Sequence, residues 1–247
     1  MVMKRKAFIF DLDDTLYDQF LTFKQGFDLF LGTYTGTEPL SSIPDTILHS
    51  IYIKSRYYGD QNFETIQKYP DKRFYYDSLR VRLAFQDFGF NLTEEDTNSI
   101  DTLYKKEQSN LILAHGMRAC LTELKNAGHF IGVITNGYSQ QQRDKLAALQ
   151  VSDLMERETI LVSADTPWIK PQKELFEYYI SEHHLEDFAT FYIGDSYEND
   201  VLGAWNSSIT PIWLNKKKQL VEEGEHDLYH VTSYDDMYHL LKKISTQ

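Results

Sequence analysis

The sequence predicts an α/β protein: a mainly parallel sheet covered by helices on both faces, interrupted after its first strand by a helical insert. Three observations predict it. From about residue 111 onward, short apolar runs of strand length alternate with helical stretches of about ten to fifteen residues. The first apolar run, at residues 6–10, is separated from the others by a long stretch with helical spacing. Polar clusters follow the apolar runs, at the strand ends where open parallel sheets bind ligands.

The elements follow in order. Lys6 to Phe10 is the first strand. Phe20, Phe23, Phe27, Leu29 and Phe30 share a helix face that ends near Gly32. Ile47 to Tyr58 and Phe74 to Phe88 give two more helices, the second stopped by Gly89, and Thr93 caps a fourth. Beyond Leu111, helices are expected at 117–127, 139–149, 173–183 and 200–207, with strands at 129–134, 159–163, 190–193 and 210–214. The expected organisation is a core of residues 1–16 and 111–247, with residues 17–110 forming the insert.

Composition narrows the function. With 42% apolar residues, 247 residues can bury a sizeable core. A net charge of −12 repels nucleic-acid backbones and anionic membranes, leaving a small molecule as the expected partner. A single cysteine, Cys120, excludes an intramolecular disulfide and fits a reducing compartment. The N-terminal MVMKRK is basic, but the apolar AFIF after it is too short for a signal-peptide core, and no run reaches the length of a membrane span. The expected location is the cytoplasm. The sequence leaves the oligomeric state open.

The strand ends carry the chemistry. The first releases Asp11, Asp13, Asp14 and Thr15; the next, Thr135, Asn136 and Gly137; the third leads to Lys170 and Pro171; the fourth ends at Gly194 and Asp195, with Asp200 beyond. Two carboxylates about 5 Å apart repel by roughly 3 kcal/mol at an effective dielectric of about 20. A divalent cation offsets that. The side-chain period of two aims Asp11 and Asp13 at one site, and Asp195 joins them from another strand. Carboxylate oxygens suit Mg²⁺, and with no His or Cys among them zinc is a poor fit.

Distinct roles follow from phosphoryl-transfer chemistry. Asp11 can attack phosphorus, and Asp13 can protonate the leaving alcohol and then deprotonate water. Thr135, with Asn136 beside it, can hold phosphate oxygens, and Lys170 supplies fixed positive charge. Asp200 can orient Lys170 or a metal-bound water. Alone, each cluster has an ordinary reading as a helix cap, a turn or a solvated lysine. All of them at strand ends, in this order, read as one site.

These residues resemble the haloacid dehalogenase superfamily, in its phosphatase branch. The likeness covers roughly residues 6–16 and 111–216. It implies a Rossmann-like three-layer core, with Asp11 as nucleophile, Asp13 as acid/base, Thr135 as phosphate ligand, Lys170 as the motif lysine and Asp195 as metal ligand. Thr15, Gly194 and Asp200 would be supporting residues, Mg²⁺ the cofactor, and the insert a helical cap that chooses substrates. Dehalogenases lack the second aspartate, because a departing halide needs no proton; Asp13 therefore favours a phosphatase. The stretches Ile134–Ser139, Gly194–Ser196 and Trp213–Asn215 look most like the pyrimidine 5′-nucleotidases, which implies a nucleoside monophosphate substrate. The segment 164–168 departs from the family pattern before Lys170.

The insert is rich in aromatics, Tyr52, Tyr57, Tyr58, Phe63, Tyr69, Phe74, Tyr75 and Tyr76 among them. They suit a base-stacking surface or, more simply, the core of a small helical domain. A sugar phosphomutase using the same aspartyl phosphate and a non-catalytic phosphate- or metal-binding protein stand as alternatives. No Gly-x-Gly-x-x-Gly follows a strand to suggest a nicotinamide enzyme.

Overall fold

The computed structural model describes residues 5–220 and 228–247. Most of the basic MVMKRK stretch, and residues 221–227 of the expected core, lie outside these. The chain divides into two compact units, one running to Asp18 and resuming at Leu111, the other spanning Gln19–Asn110.

The first unit is built on β1 (Lys6–Phe10), β2 (Phe130–Thr135), β3 (Ile160–Val162), β4 (Ala189–Gly194), β5 (Thr210–Leu214) and β6 (Tyr229–Val231). Their order is β3-β2-β1-β4-β5-β6, and every pairing is parallel. β1 is central, with Ala7 opposite both Phe130 and Thr190. Strands buried on two faces read as continuous apolar runs, as β1 does.

Alternation along β1 divides the core into two faces. Phe8 and Phe10 pack with residues of the helices Met117–Asn126, Ser139–Ala148 and Tyr234–Ser245. Ala7 and Ile9 pack on the other face against Leu175, Phe176 and Tyr179 of the helix Lys173–Glu182. This is the three-layer α/β architecture expected from the alternation of elements. Cys120 lies in the first of these cores, where burial pushes its thiol up to about 12.

Within this unit the structure departs from the sequence reading in two places, and in the insert the helix expected over Ile47 to Tyr58 runs from Asp45 to Lys68. The stretch expected as a helix over 200–207 opens as a π-helical turn, Tyr197–Leu202, and only then becomes an α-helix, Gly203–Asn206. The chain also returns to the sheet as β6 and the helix Tyr234–Ser245, neither of which was expected.

The second unit comprises α1 (Gln19–Leu31), α2 (Asp45–Lys68), α3 (Arg73–Asp87) and α4 (Glu94–Glu107). In chain order the helices already named then become α5 (Met117–Asn126), α6 (Ser139–Ala148), α7 (Lys173–Glu182), α8 (Gly203–Asn206) and α9 (Tyr234–Ser245). Thr93 caps α4 in a reciprocal box: its hydroxyl accepts from Asp96 N–H at 3.1 Å, and the Asp96 carboxylate accepts from Thr93 N–H at 3.0 Å. The insert's aromatics divide. Tyr52 is core, with Phe23, Phe27 and Phe85, whereas Tyr57, Tyr69, Phe74 and Tyr75 are exposed. Arg80 is buried on Asp101 at 3.1 Å. Among the described residues no helix is long and apolar enough to cross a membrane.

Candidate active site

The site is built at the carboxyl ends of β1, β2 and β4, with the loops that follow. Asp11 N–H continues the ladder by donating to Ile193 O at 2.8 Å, which holds the first residue past β1 in register. Leu12 then turns into the core, and Thr15 and Leu16 N–H both donate back to Leu12 O, closing a tight loop. Asp14 sits in that loop at φ 61, a left-handed conformation that Asp tolerates. The Thr15 hydroxyl, expected as a supporting group, is buried with no hydrogen-bond partner among the described residues.

Asp11, Asp195 and Asp200 present carboxylate oxygens within 4.8 Å of one another. Lys170 is set against two of them. Its Nζ lies 2.6 Å from Asp11 Oδ1 and 2.7 Å from Asp200 Oδ1, and donates to Tyr192 Oη at 3.1 Å. Asp200 is fixed from behind, its Oδ2 accepting from Ser196 N–H at 2.9 Å. Gly194 makes this possible, because a Cβ there would come within 2.3 Å of the Asp200 carboxylate. Burial drives the Asp11 carboxyl up to about 7, against the opposing pull of Lys170. Burial likewise pushes Asp195 up to about 6, opposed by Lys217, whose Nζ is 3.4 Å away.

Of the expected metal set Asp11, Asp13 and Asp195, the first and last lie in this cluster. Asp13 does not share this cluster through its side chain. Its two oxygens accept from Lys145 Nζ at 2.8 and 2.9 Å, with Gln142 Nε2 at 3.2 Å and the Tyr17 hydroxyl also donating. The reason is local: Asp11 points at the lysine loop, while α6 brings a buried ammonium to Asp13.

Thr135 closes β2, and its Oγ1 accepts from Gln142 Nε2 at 2.7 Å. The Asn136 side-chain amide is engaged by the Lys170 main chain. Before Lys170 the chain makes a 3-10 turn, Ser163–Asp165, and the Thr166 hydroxyl accepts from Trp168 N–H at 3.1 Å, tightening the atypical segment.

The sequence reading missed four lysine and glutamine side chains here: Gln142, Lys145, Lys216 and Lys217. Lys216 reaches Asp14 at 3.2 Å and Asp18 at 3.7 Å. The carboxylates at the mouth of the sheet are thus each answered by a lysine, Lys145, Lys170, Lys216 or Lys217. For Gln142 and Lys145 a signal existed: with Leu146 they form an i, i+3, i+4 set on the buried face of α6.

The pattern of haloacid dehalogenase-like hydrolases matches residues 8–214, a span that contains every site residue named above except Lys216 and Lys217. The chain belongs to this family of hydrolytic enzymes. Within the family, it is 30% identical over 114 residues to pyrimidine 5′-nucleotidase YjjG of Escherichia coli, an alignment covering 46% of this chain and half of that one. It is 22% identical over 242 residues to the glyceraldehyde 3-phosphate phosphatase of Pyrococcus furiosus, covering 96% and 93% of the two chains. Solved haloacid dehalogenase-like folds superimpose along nearly the whole chain. The magnesium-bound HAD-hydrolase YfnB of Bacillus subtilis does so with TM-score 0.66 at 20% identity over 97% and 99% of the chains. The L-2-haloacid dehalogenase RSc1362 does so with TM-score 0.68 at 16% identity over 97% and 100%. At these identities the superpositions establish the fold alone.

Proposed function

We propose that this hydrolase cleaves phosphomonoesters of small metabolites through an aspartyl phosphate on Asp11, with Asp13 as general acid and base. The observation that carries the reading is the separation of two neighbouring carboxylates into different environments. Asp11 lies with Asp195, Asp200 and Lys170, while Asp13 is held apart by Lys145, Gln142 and Tyr17. Paired carboxyls in unlike surroundings suit unlike tasks.

In this reading Asp11 Oδ attacks phosphorus, Lys170 neutralises charge on the phosphoryl oxygens, and Thr135 Oγ1 binds one of them. Asn136 orients Lys170, and Asp13 gives its proton to the departing alkoxide and later takes one from water. The all-oxygen set of buried Asp11 and Asp200 and half-buried Asp195 fits Mg²⁺, which supplies charge neutralisation at phosphate when bound. The presence of Asp13 favours ester over carbon–halogen cleavage, since only an alkoxide leaving group needs a proton.

For the substrate we favour a nucleoside 5′-monophosphate, supported by the similarity to YjjG. The near full-length similarity to a triose phosphate phosphatase makes short sugar phosphates the second class. We assign the choice between them to the Gln19–Asn110 unit, acting as a cap. Phosphate release from both classes, with Mg²⁺ or with chelator, tests the reading beside Asp11→Asn. Mg²⁺-dependent turnover lost in Asp11→Asn supports it; isomerisation without release of phosphate would point to a mutase, and neither to a binding protein.

A further inference from the structure

Three of the first unit's buried polar side chains, Thr135, Gln142 and Lys145, form one connected group with the half-buried Asp13. Gln142 and Lys145 stand one turn apart on α6, which starts at Ser139 directly after the Thr135–Gly137 loop. Spacing of i, i+3 puts both on one face, and that face is the buried one: they are 2% and 3% exposed. A lysine this deep is tolerated only when its charge is met. Here both oxygens of a single carboxylate meet it, at 2.8 and 2.9 Å. Gln142 Nε2 then spans the gap between Asp13 Oδ2, at 3.2 Å, and Thr135 Oγ1, at 2.7 Å.

We propose that Lys145 is a positioning residue that fixes the Asp13 carboxyl for its acid and base role, with Gln142 tying Asp13 to the frame of the phosphate ligand Thr135. The inference rests on the phosphoester reading above and adds to it residues outside the four strand-end clusters. A general acid works only when its proton lies within hydrogen-bond reach of the atom that receives it. A carboxylate on a loop can rotate about two side-chain torsions. The Lys145 ammonium on both oxygens and the Gln142 amide on one, both from the same helix, remove that freedom together with the Tyr17 hydroxyl. The same helix begins directly after the Thr135–Gly137 loop, so it ties the phosphate ligand and Asp13 together through Gln142.

Leaving-group dependence separates this role from a structural one. The kcat/KM of the Mg²⁺-loaded full chain is measured on p-nitrophenyl phosphate, whose phenolate departs with little help, and on a nucleoside 5′-monophosphate or β-glycerophosphate, whose alkoxide needs a proton. Lys145→Gln is expected to lose on the order of a hundredfold on the alkyl ester, the scale of general acid catalysis, and under about tenfold on the aryl ester, with KM little changed. Lys145→Arg keeps the charge with a different fork, and its ratio between the two esters is expected to lie between wild type and Lys145→Gln. Equal losses on both esters, or no loss on the alkyl ester, overturn the proposal. If Lys145→Gln does not fold, Lys145→Arg decides: a ratio unchanged from wild type overturns it. Asp13→Asn in parallel distinguishes the two levels. A leaving-group-selective loss there without one at Lys145 defeats the positioning role alone. Wild-type turnover of neither ester defeats both.

Discussion

The Asn136 side-chain amide closes two hydrogen bonds with the main chain of Lys170, accepting from its N–H at 2.9 Å and donating to its carbonyl at 3.1 Å. Residues on the loops after β2 and β3 are thereby bracketed, and the Lys170 ammonium is aimed at Asp11. Asn136→Ala removes both bonds and strands the Lys170 backbone groups. We expect a loss of roughly 1–3 kcal/mol in urea unfolding. We also expect at least about tenfold in kcat/KM, equivalent to about 1.4 kcal/mol of transition-state binding. Unchanged stability would mean that the bracket holds nothing.

Gly194→Ala tests the packing behind Lys170. The added methyl would meet the Asp200 carboxylate at 2.3 Å, and Asp200 cannot retreat without releasing Ser196 or Lys170. The expected cost of overpacking is about 1–3 kcal/mol. Activity should fall more steeply than stability, with the far-UV spectrum retained. A fully active variant would show that Asp200 can move freely.

The acids of the proposed metal set are expected to make stability depend on pH and metal together. Folded Asp11 holds its proton up to about 7 and Asp195 up to about 6, against 3.8 for an ordinary carboxyl. Between about pH 4 and 7 the folded chain therefore binds more protons than the unfolded one, and the contribution of these groups to stability falls as pH rises through that window. In the reading proposed above Mg²⁺ would meet the ionised forms, so its stabilising effect is expected to be larger at about pH 8 than at about pH 5.5. Thermal unfolding at both pH values, with Mg²⁺ or chelator, measures this. An increment independent of pH, in wild type and Asp195→Asn alike, would remove these acids from the metal site.

In the helical unit, Thr93→Ala opens the capping box at the start of α4. The expected loss is about 0.5–2 kcal/mol, since the Asp96 N–H loses its hydroxyl acceptor and the Asp96 carboxylate loses the hydroxyl that donates to it. Differential scanning calorimetry reads it directly, and an unchanged transition would show that the cap adds nothing in this context.

Much of this fold is written in local patterns. β1 and β5 match their expected ends, because an apolar run bounded by Asp or Asn leaves little latitude. Thr93 was legible for the same reason, its cap chemistry being contained within four residues. β6 was not legible: Tyr-His-Val is a strand because Leu214 and its neighbours offer a ladder, which its own residues do not announce. α9 carries Met237, Leu241 and Ile244 on one face, a readable pattern that lay beyond the last recognised motif. In the site, the strand-end clusters were visible because they interrupt apolar runs. Lys145 was not, because a lysine reads as solvent-facing until its partner Asp13, remote in sequence, is placed beside it.

The pairing of Ala7 with Phe130 bears on the order in which the protein can be made. β1 emerges from the ribosome first, yet both of its neighbours, β2 and β4, lie beyond the whole Gln19–Asn110 unit. At about 5–20 residues per second, the wait for β2 is on the order of ten seconds. The helical unit, contiguous in sequence and rich in local contacts, can fold in that interval. Throughout, residues 7–10 remain an unpaired apolar segment of high strand propensity. Arg5 and Lys6 stand on one side of it and Asp11, Asp13 and Asp14 on the other. The carboxylates proposed for chemistry in the finished protein thus also stand where gatekeeper charges flank an apolar strand, and like charge there is expected to keep nascent chains apart until the sheet can close.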